Sequence, residues 1–359
     1  MDTLTHALSG ALLARATAPP LHHAPDTGQL TLRARMTAGF IAAAFPDADF
    51  VLRAIDTLTY VTFHRGITHS IILLPFWAWL VAWILSHLSR FSRRPYPWRA
   101  FYGIAALGIG IHVAGDVITS YGTMLLAPFS SHAFSLPFTF IIDPYFTGII
   151  VLGLVAGIFK PKGRYPAATA LLILGCYVGF QGILHSHAVE IGDTYVENHR
   201  LKEARVHAFP QPLSPFNWKI VVSHGDNYEV ASVNLRHTQE LEVSAAMNGL
   251  LGRWEAIAAG YQPVSAAKWI RHSRFGETER QSVLAREAWG QEIFAGFRHF
   301  AAFPALDRIE YYPDAVCVSF LDLRFIVPSL QPSLVFGLCR EGSNGFWQLA
   351  RDRGLFGRD

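Results

Sequence analysis

Long apolar stretches separated by short polar ones fill the first half of the chain, whereas charged residues recur at short intervals in the second. Four apolar runs stand out: Ile71 to Leu88, Phe101 to Val117, Phe146 to Phe159 and Ala167 to Leu184. A helix needs ~20 apolar residues to cross a hydrocarbon core, so the first, second and fourth runs approach a full span. The third reaches one with its apolar flank at Tyr145, and Pro75 inside the first is compatible with a packed membrane helix. Two shorter amphipathic helices precede these runs, about Leu4 to Ala16 and Thr31 to Phe45. At 1.5 Å per residue each extends only ~20 Å, which suits a re-entrant or interfacial hairpin.

The pattern changes near residue 190. Trp218 to Ser223 and Tyr228 to Leu235 are rich in β-branched and aromatic residues and flank a Gly225-Asp226-Asn227 turn, the signature of a hairpin. Residues 240 to 303 read mostly as helix, and strands return at Ala315 to Phe325 and Ser333 to Leu338. The expected architecture is therefore mainly α: residues 1–190 form an integral membrane helical bundle of about four spans plus the N-terminal short-helix hairpin. Residues 191–359 form a C-terminal α+β domain, long enough for its own core.

Composition agrees with that division. The 359 residues are 51% hydrophobic and 16% charged, with a mean hydropathy of +0.25, which places the chain in the membrane class. A formal net charge of only +3 without a long basic run excludes a nucleic-acid partner. Asp2, Thr5 and His6 interrupt any cleavable leader, so Met1 is expected to remain. No CxxC pair exists among the three cysteines; Cys176 lies inside an apolar run, and Cys317 and Cys339 can pair only if their strands meet. There is no Gly-x-Ser-x-Gly elbow, P-loop or GxGxxG after a strand, which removes the common serine hydrolase, NTPase and dinucleotide readings.

Charge distribution predicts the orientation. Arg90, Arg93, Arg94 and Arg99 separate the first two runs, Lys160, Lys162 and Arg164 separate the last two, and Arg15, Arg33 and Arg35 flank the bend of the hairpin. Loops rich in Lys and Arg stay cytoplasmic, whereas Asp116 to Asp143 contains neither. On this path the C-terminal domain is extracytoplasmic, in a multi-pass protein of the bacterial inner membrane. The same path brings His6, Asp47, Asp49, His64, His69, His112, Asp116 and Asp143 to the outer face.

His112 and Asp116 are four residues apart and share one face of a helix. Imidazole nitrogen with carboxylate oxygen suits zinc first, with manganese or iron as alternatives, and the number of such residues leaves room for two or more ions. Each residue also has a plainer role. His6 starts a helix that Thr3 or Thr5 could cap. Asp47 and Asp49 follow Pro46 in what could be a simple turn. Asp143 could cap a helix with Pro144 at its first position, and Arg65 could pair with an aspartate. Collectively, ionisable groups at a membrane boundary are costly enough to mark a functional site. His64 and His69 lie about 140° apart on a straight helix, so they share a site only if His64 precedes the helix, a break that Gly66 permits. The remaining histidines, His22, His23, His87, His132, His185 and His187, read as loop or snorkelling residues.

These motifs resemble the YdjM type of membrane-bound metal-dependent hydrolase. The resemblance rests on M-D-T-L-T-H-A-L-S-G at 1–10, F-P-D-A-D at 45–49, H-R-G-I-T-H-S at 64–70, H-V-A-G-D-V-I-T-S-Y-G-T at 112–123 and I-I-D-P at 141–144, and covers about residues 1–190. The order of ligand types is also similar to the all-helical zinc phospholipase C and P1 nuclease group. That likeness implies metal ligation by His6, Asp47 or Asp49, His69, His112 and Asp116; the group also ligates through the amine of its first residue.

The functional expectation is metal-assisted hydrolysis of an ester or phosphoester. His6, Asp47, His64, His69, His112 and Asp116 would hold a divalent ion, Asp49 would act as general base, and Arg65 would meet developing negative charge. Arg65 and Asp143 are the candidate substrate contacts. A site at headgroup depth suits a membrane lipid or another amphiphilic, phosphate-containing substrate. The alternative is a non-enzymatic metal-binding scaffold or transport element, although the interiors of the runs hold few ionisable groups for an ion path.

Overall fold

The structure, a computed structural model, describes residues 1–19, 29–92, 94–160, 163–241, 249–342 and 345–350. His22, His23, Arg93, Lys162 and the stretch 242–248 of the expected helical segment lie outside the described residues. Two compact units form: Met1–Ala54 with Phe63–Ile183, and Ile55–Thr62 with Leu184–Asp359.

The first unit is helical. Helices α1 (Thr3–Ala16) and α2 (Leu32–Ala44) form the short hairpin, and a 3₁₀ stretch, Pro46–Ala54, follows. The short α3 (Thr57–Phe63) crosses from the second unit into the first. A 3₁₀ turn at Ile67–His69 then leads to α4 (Leu74–Ser89), α5 (Trp98–Val117), α6 (Pro144–Phe159) and α7 (Tyr165–His199). Asp2, rather than Thr3 or Thr5, caps α1, accepting from the Thr5 amide at 3.0 Å and its hydroxyl at 2.6 Å.

Small residues set the packing of this unit. A Cβ on Gly10 of α1 would lie 2.2 Å from the carbonyl oxygen of Gly39 on α2, and one on Gly108 of α5 would lie 2.8 Å from Ala42 Cβ. Ala14, Ala38, Ala42, Ala78, Ala82 and Ala105 continue the seam, with Val81, Ile104, Ile109 and Val113 filling around them. Apolar solvent offers helices no hydrophobic incentive to associate, so close backbone approach through small residues is what dispersion can exploit.

Two helices, α5 and α7, are long and apolar enough to span a membrane, and the pair formed by Thr57–His69 and α4 adds a third only if its 85° bend lies within one span. At 16 residues α6 reaches about 24 Å, short of a ~30 Å core. Where the sequence suggested about four spans, the first run is trimmed because Pro75 belongs to the opening turn of α4, where its missing N–H costs nothing. At the other end, α7 continues for 35 residues straight through the composition change at 190, and the division between the units falls inside it.

The second unit contains two sheets. The first comprises β1 (Arg205–Pro210), β2 (Asn217–His224), β3 (Asn227–Asn234), β4 (Gln262–Pro263) and β5 (Ile270–Ser273), with β5 pairing on β3. The second, antiparallel throughout, has the order β6 (Pro304–Tyr311), β7 (Ala315–Asp322), β8 (Val335–Glu341) and β9 (Trp347–Leu349). Helix α8 (Gly249–Ala259) falls between β3 and β4, and α9 (Glu279–Trp289) and α10 (Ala295–Phe300) lie between the two sheets in sequence. The expected hairpin is β2–β3, with His224 opposite Asn227 and Gly225 in the left-handed region at φ +58°.

One face of the first sheet, with Trp218, Ile220, Ala231 and Val233, packs on Leu184 and Ala188 of α7. The other, with Val221, Tyr228 and Val230, meets Phe303, Ala305, Leu321 and Leu323. The segment read as mostly helical is interrupted by β4 and β5. Strands β1 and β6 were missed because Arg205, His207, Asp307, Arg308 and Glu310 obscure their alternation. Cys317 and Cys339 sit directly opposite each other on β7 and β8 and form a disulfide.

Candidate metal centre

Four elements of the helical unit end at one place. Helix α1 brings His6 in its first turn; the Pro46 break after α2 brings Asp47 and Asp49; the 3₁₀ turn brings His69; and the last turns of α5 bring His112 and Asp116. The side chains of His6, His69, His112 and Asp116 are buried. His69 was expected on a long helix but sits on the short turn before it. Arg65 adopts φ +62°, a left-handed conformation that a non-glycine residue rarely takes and that reverses the chain between His64 and His69.

Asp47, His69, His112 and Asp116 each offer one donor atom, all within 4.8 Å of one another. The Nε2 atoms of His69 and His112 are 3.0 Å apart. Asp116 Oδ2 lies 3.1 Å from the first and 3.2 Å from the second, and Asp47 Oδ1 lies 3.7 and 3.6 Å from them. Four ligands held tetrahedrally by bonds of 2.0–2.1 Å are separated by ~3.3 Å, a value that the separations above, 3.0 to 3.7 Å, bracket.

The hydrogen bonds behind the rings set their tautomers. His112 Nδ1 faces the Ala43 carbonyl at 2.6 Å and must donate to it. Thr68 Oγ1 donates to Asp49 Oδ2 at 3.0 Å, which leaves it to accept from His69 Nδ1 at 2.9 Å. Both lone pairs therefore reside on Nε2 atoms that stand 3.0 Å apart, an arrangement unfavourable without a cation beside them. Such outer hydrogen bonds are what orient metal-binding imidazoles.

Asp116 divides its two oxygens. Oδ1 receives the Met1 amine at 2.5 Å, Arg65 Nη2 at 2.8 Å and His6 Nε2 at 3.0 Å. Oδ2 is buried and accepts no hydrogen bond of proper geometry among the described residues, although the two Nε2 atoms stand close to it. A saturated oxygen on one side and an unsatisfied one among ligand-type atoms on the other fits a bound cation, and the mixed nitrogen and oxygen donor set suits a divalent ion.

The other sequence candidates take different places. His6 stacks on His112 at 3.7 Å between ring centroids and reaches Asp116 from the far side. His64 bonds through Nδ1 to Asp49 Oδ1 at 2.8 Å, outside the four-residue set. Asp49 organises the H-R-G-I-T-H-S segment, accepting also from the Arg65 amide and Thr68. Arg65 is buried, with Nη1 on Thr119 Oγ1 at 2.7 Å and its guanidinium 4.8 Å from the Tyr121 ring. Asp143 caps α6, accepting from the Tyr145 and Phe146 amides and from Tyr177 and Gln181 of α7. Thr68, Thr119 and the Ala43 carbonyl were not anticipated, and of these only Thr68 had a signal in the sequence, as the hydroxyl residue preceding His69. The Met1 amine, whose counterpart in the phospholipase C group is a ligand, here donates to Asp116.

Apolar helices closing on a buried histidine and aspartate set define a helical membrane protein with a candidate metal centre. Residues 1–188 match the family described as YdjM inner membrane protein, and the chain belongs to that family. It is similar to the uncharacterised Bacillus subtilis (strain 168) protein YfhP, 30% identical over 184 residues that cover 50% of this chain and 52% of that one. The chain thus spans about half the length of the relative it matches. No solved structure matches it. The likeness to the zinc phospholipase C and P1 nuclease group rests on the order of ligand-type residues alone.

Proposed function

We propose that this protein is a membrane-bound metal-dependent hydrolase acting on an ester or phosphoester of an amphiphilic substrate at the outer membrane face. The observation that carries the reading is the meeting of two imidazole lone pairs and an unsatisfied Asp116 oxygen in a buried place. His69, His112, Asp116 and Asp47 would hold a divalent ion, zinc first. Such an ion supplies Lewis acidity toward a carbonyl or phosphoryl oxygen and toward water.

The chain's own groups divide the remaining work. Asp49 aligns His69 through Thr68 and anchors His64 directly. His64, less buried than His69, is the residue assigned to proton transfer. Arg65 holds Asp116 and balances its charge, in place of the substrate contact expected from sequence. Asp143 holds α6 against α7.

Two independent features support an extracytoplasmic second unit in a multi-pass inner-membrane protein. Basic residues concentrate in the loops on one side, and the Cys317–Cys339 disulfide suits an oxidising compartment. The full burial of His69, His112 and Asp116 favours a second reading, a non-enzymatic centre that stores an ion or fastens the helices.

Elemental analysis of detergent-purified protein from metal-replete cells, beside a His112→Ala, Asp116→Ala double variant, tests the centre. Wild type should carry about one ion per chain and the variant only background; equal contents refute the site. With metal confirmed, a panel of phosphodiesters and phospholipids should show turnover that His64→Gln removes while its metal content stays. A metal-loaded wild type inert on the whole panel leaves the second reading. For orientation, Ser131→Cys should react with an impermeant thiol reagent in intact cells, and reaction only after lysis reverses the sidedness.

A further inference from the structure

We propose that a cavity in the second unit, beside Lys219 of β2, binds a small hydroxycarboxylate with an apolar body. The cavity measures about 330 Å³, near the lower end of the ~300–1,000 Å³ range of small-molecule sites. Lys219 lines it at 1% exposure, opposite Ser232 of β3 in the strand register. Its ammonium donates to the carbonyls of Leu323, at 2.7 Å, and of Ile326.

Burying an ammonium on a strand is costly, and carbonyl dipoles compensate it less fully than an anion would. The nearby carboxylate, Asp322, is engaged by Arg324 at 2.8 Å. Lys268 and His272 also line the cavity, and no carboxylate does so among the described residues. Basic groups without an acidic partner point to an anionic ligand, while Val230, Ile270, Leu323 and Pro328 give it an apolar wall to rest on.

Gln262 refines the assignment. Its Nε2 donates to Ala259 O at 2.7 Å and to Leu241 O at 3.3 Å, which fixes the orientation of the amide. Its Oε1 is buried and has no hydrogen-bond partner among the described residues. A ligand that satisfies both ends needs a carboxylate and a hydrogen-bond donor. An ammonium donor would be repelled by Lys219 and Lys268, so the donor is a hydroxyl.

Titration calorimetry on the full-length, detergent-purified protein, with α-hydroxyisocaproate, isocaproate and leucine as probes, tests this. The hydroxy acid should bind about tenfold more tightly than isocaproate, the value of one buried hydrogen bond, and leucine should bind more weakly than either. Gln262→Met should abolish the advantage of the hydroxyl, and Lys219→Met should weaken both carboxylates by about tenfold or more. If Lys219→Met does not fold, the exposed Lys268→Met serves in its place and should weaken both carboxylates. Absence of binding by the hydroxy acid, equal binding of leucine, or affinity unchanged in Gln262→Met and Lys268→Met overturns the proposal.

Discussion

Both units bury charge, but they satisfy it differently. In the second, Arg324 forks onto Asp322 through Nε at 3.0 Å and Nη2 at 2.8 Å, and Asp322 also accepts from the Ala302 amide. Its guanidinium lies within 5.4 Å of the Phe300 ring centroid and 4.9 Å of that of Phe325. Arg324 Nε and Nη2 both have acceptors, and so does the Ala302 amide, which is how a buried ion pair becomes a structural fastener. In the helical unit, Asp116 is saturated on one oxygen only, and the other shares its surroundings with two lone-pair nitrogens and a second carboxylate. Pairing within the protein marks architecture; acceptors converging on one another mark a place for something else.

Lys219 stands between these cases, and pH separates it from both. Burial pushes its ammonium down to about 7, against 10.5 when unfolded. Between those values the unfolded chain binds more protons, so the wild-type second unit gains stability as pH rises from about 7 toward 10.5. Below about 7 both states are protonated and this dependence vanishes. The slope approaches ~1.4 kcal/mol per pH unit inside the window, the largest effect expected in this comparison. Denaturant unfolding of wild type and Lys219→Met at successive pH values should show the difference between them changing across this window; a constant difference contradicts the assignment.

Breaking the satisfied pair comes next. Arg324→Met leaves Asp322 buried without its counter-charge and should lower the stability of the second unit by about 3–5 kcal/mol, with the metal content of the chain unaltered. At the converging centre the expected readout is reversed: Thr68→Val removes the acceptor behind His69 and should weaken metal affinity about 10- to 100-fold in competition with a chelator, with little change in unfolding. The smallest effect belongs to a pair on the surface. Arg286→Ala, which removes a 2.9 Å contact to the half-exposed Asp226, should cost about 0–1 kcal/mol, and a larger loss would weaken the distinction drawn between buried and exposed pairs.

The helices of the first unit were legible because their apolar runs are long, and the β2–β3 hairpin because its turn residues are unambiguous. His112 and Asp116 were legible together because helical spacing places them on one face. The burial of Arg65 against Asp116 was not, because it depends on a left-handed backbone at Arg65 that no pattern of side chains encodes. Nor was the split role of the Asp49 carboxylate, which requires knowing that the chain folds back so that residues 64 to 68 surround it. The continuation of α7 past residue 190 escaped notice because the partner surface changes there while the helix does not. Its apolar residues first suit lipid or neighbouring helices, and then Leu184 and Ala188 suit a sheet.

The contact between Gly10 and Gly39 has a consequence for mutational tolerance. One methyl group at either position must force α1 and α2 apart, since Cβ would sit 2.2–2.4 Å from a carbonyl oxygen. Those two helices carry His6, the Ala43 carbonyl and the approach to Asp47, while Gly108 locks α5 against the same seam. Ligand sets tolerate misplacement of only ~0.5 Å. Glycine to alanine, among the mildest of substitutions on a helix surface, would therefore act here as a wedge, detuning a site several residues away without touching any atom in it.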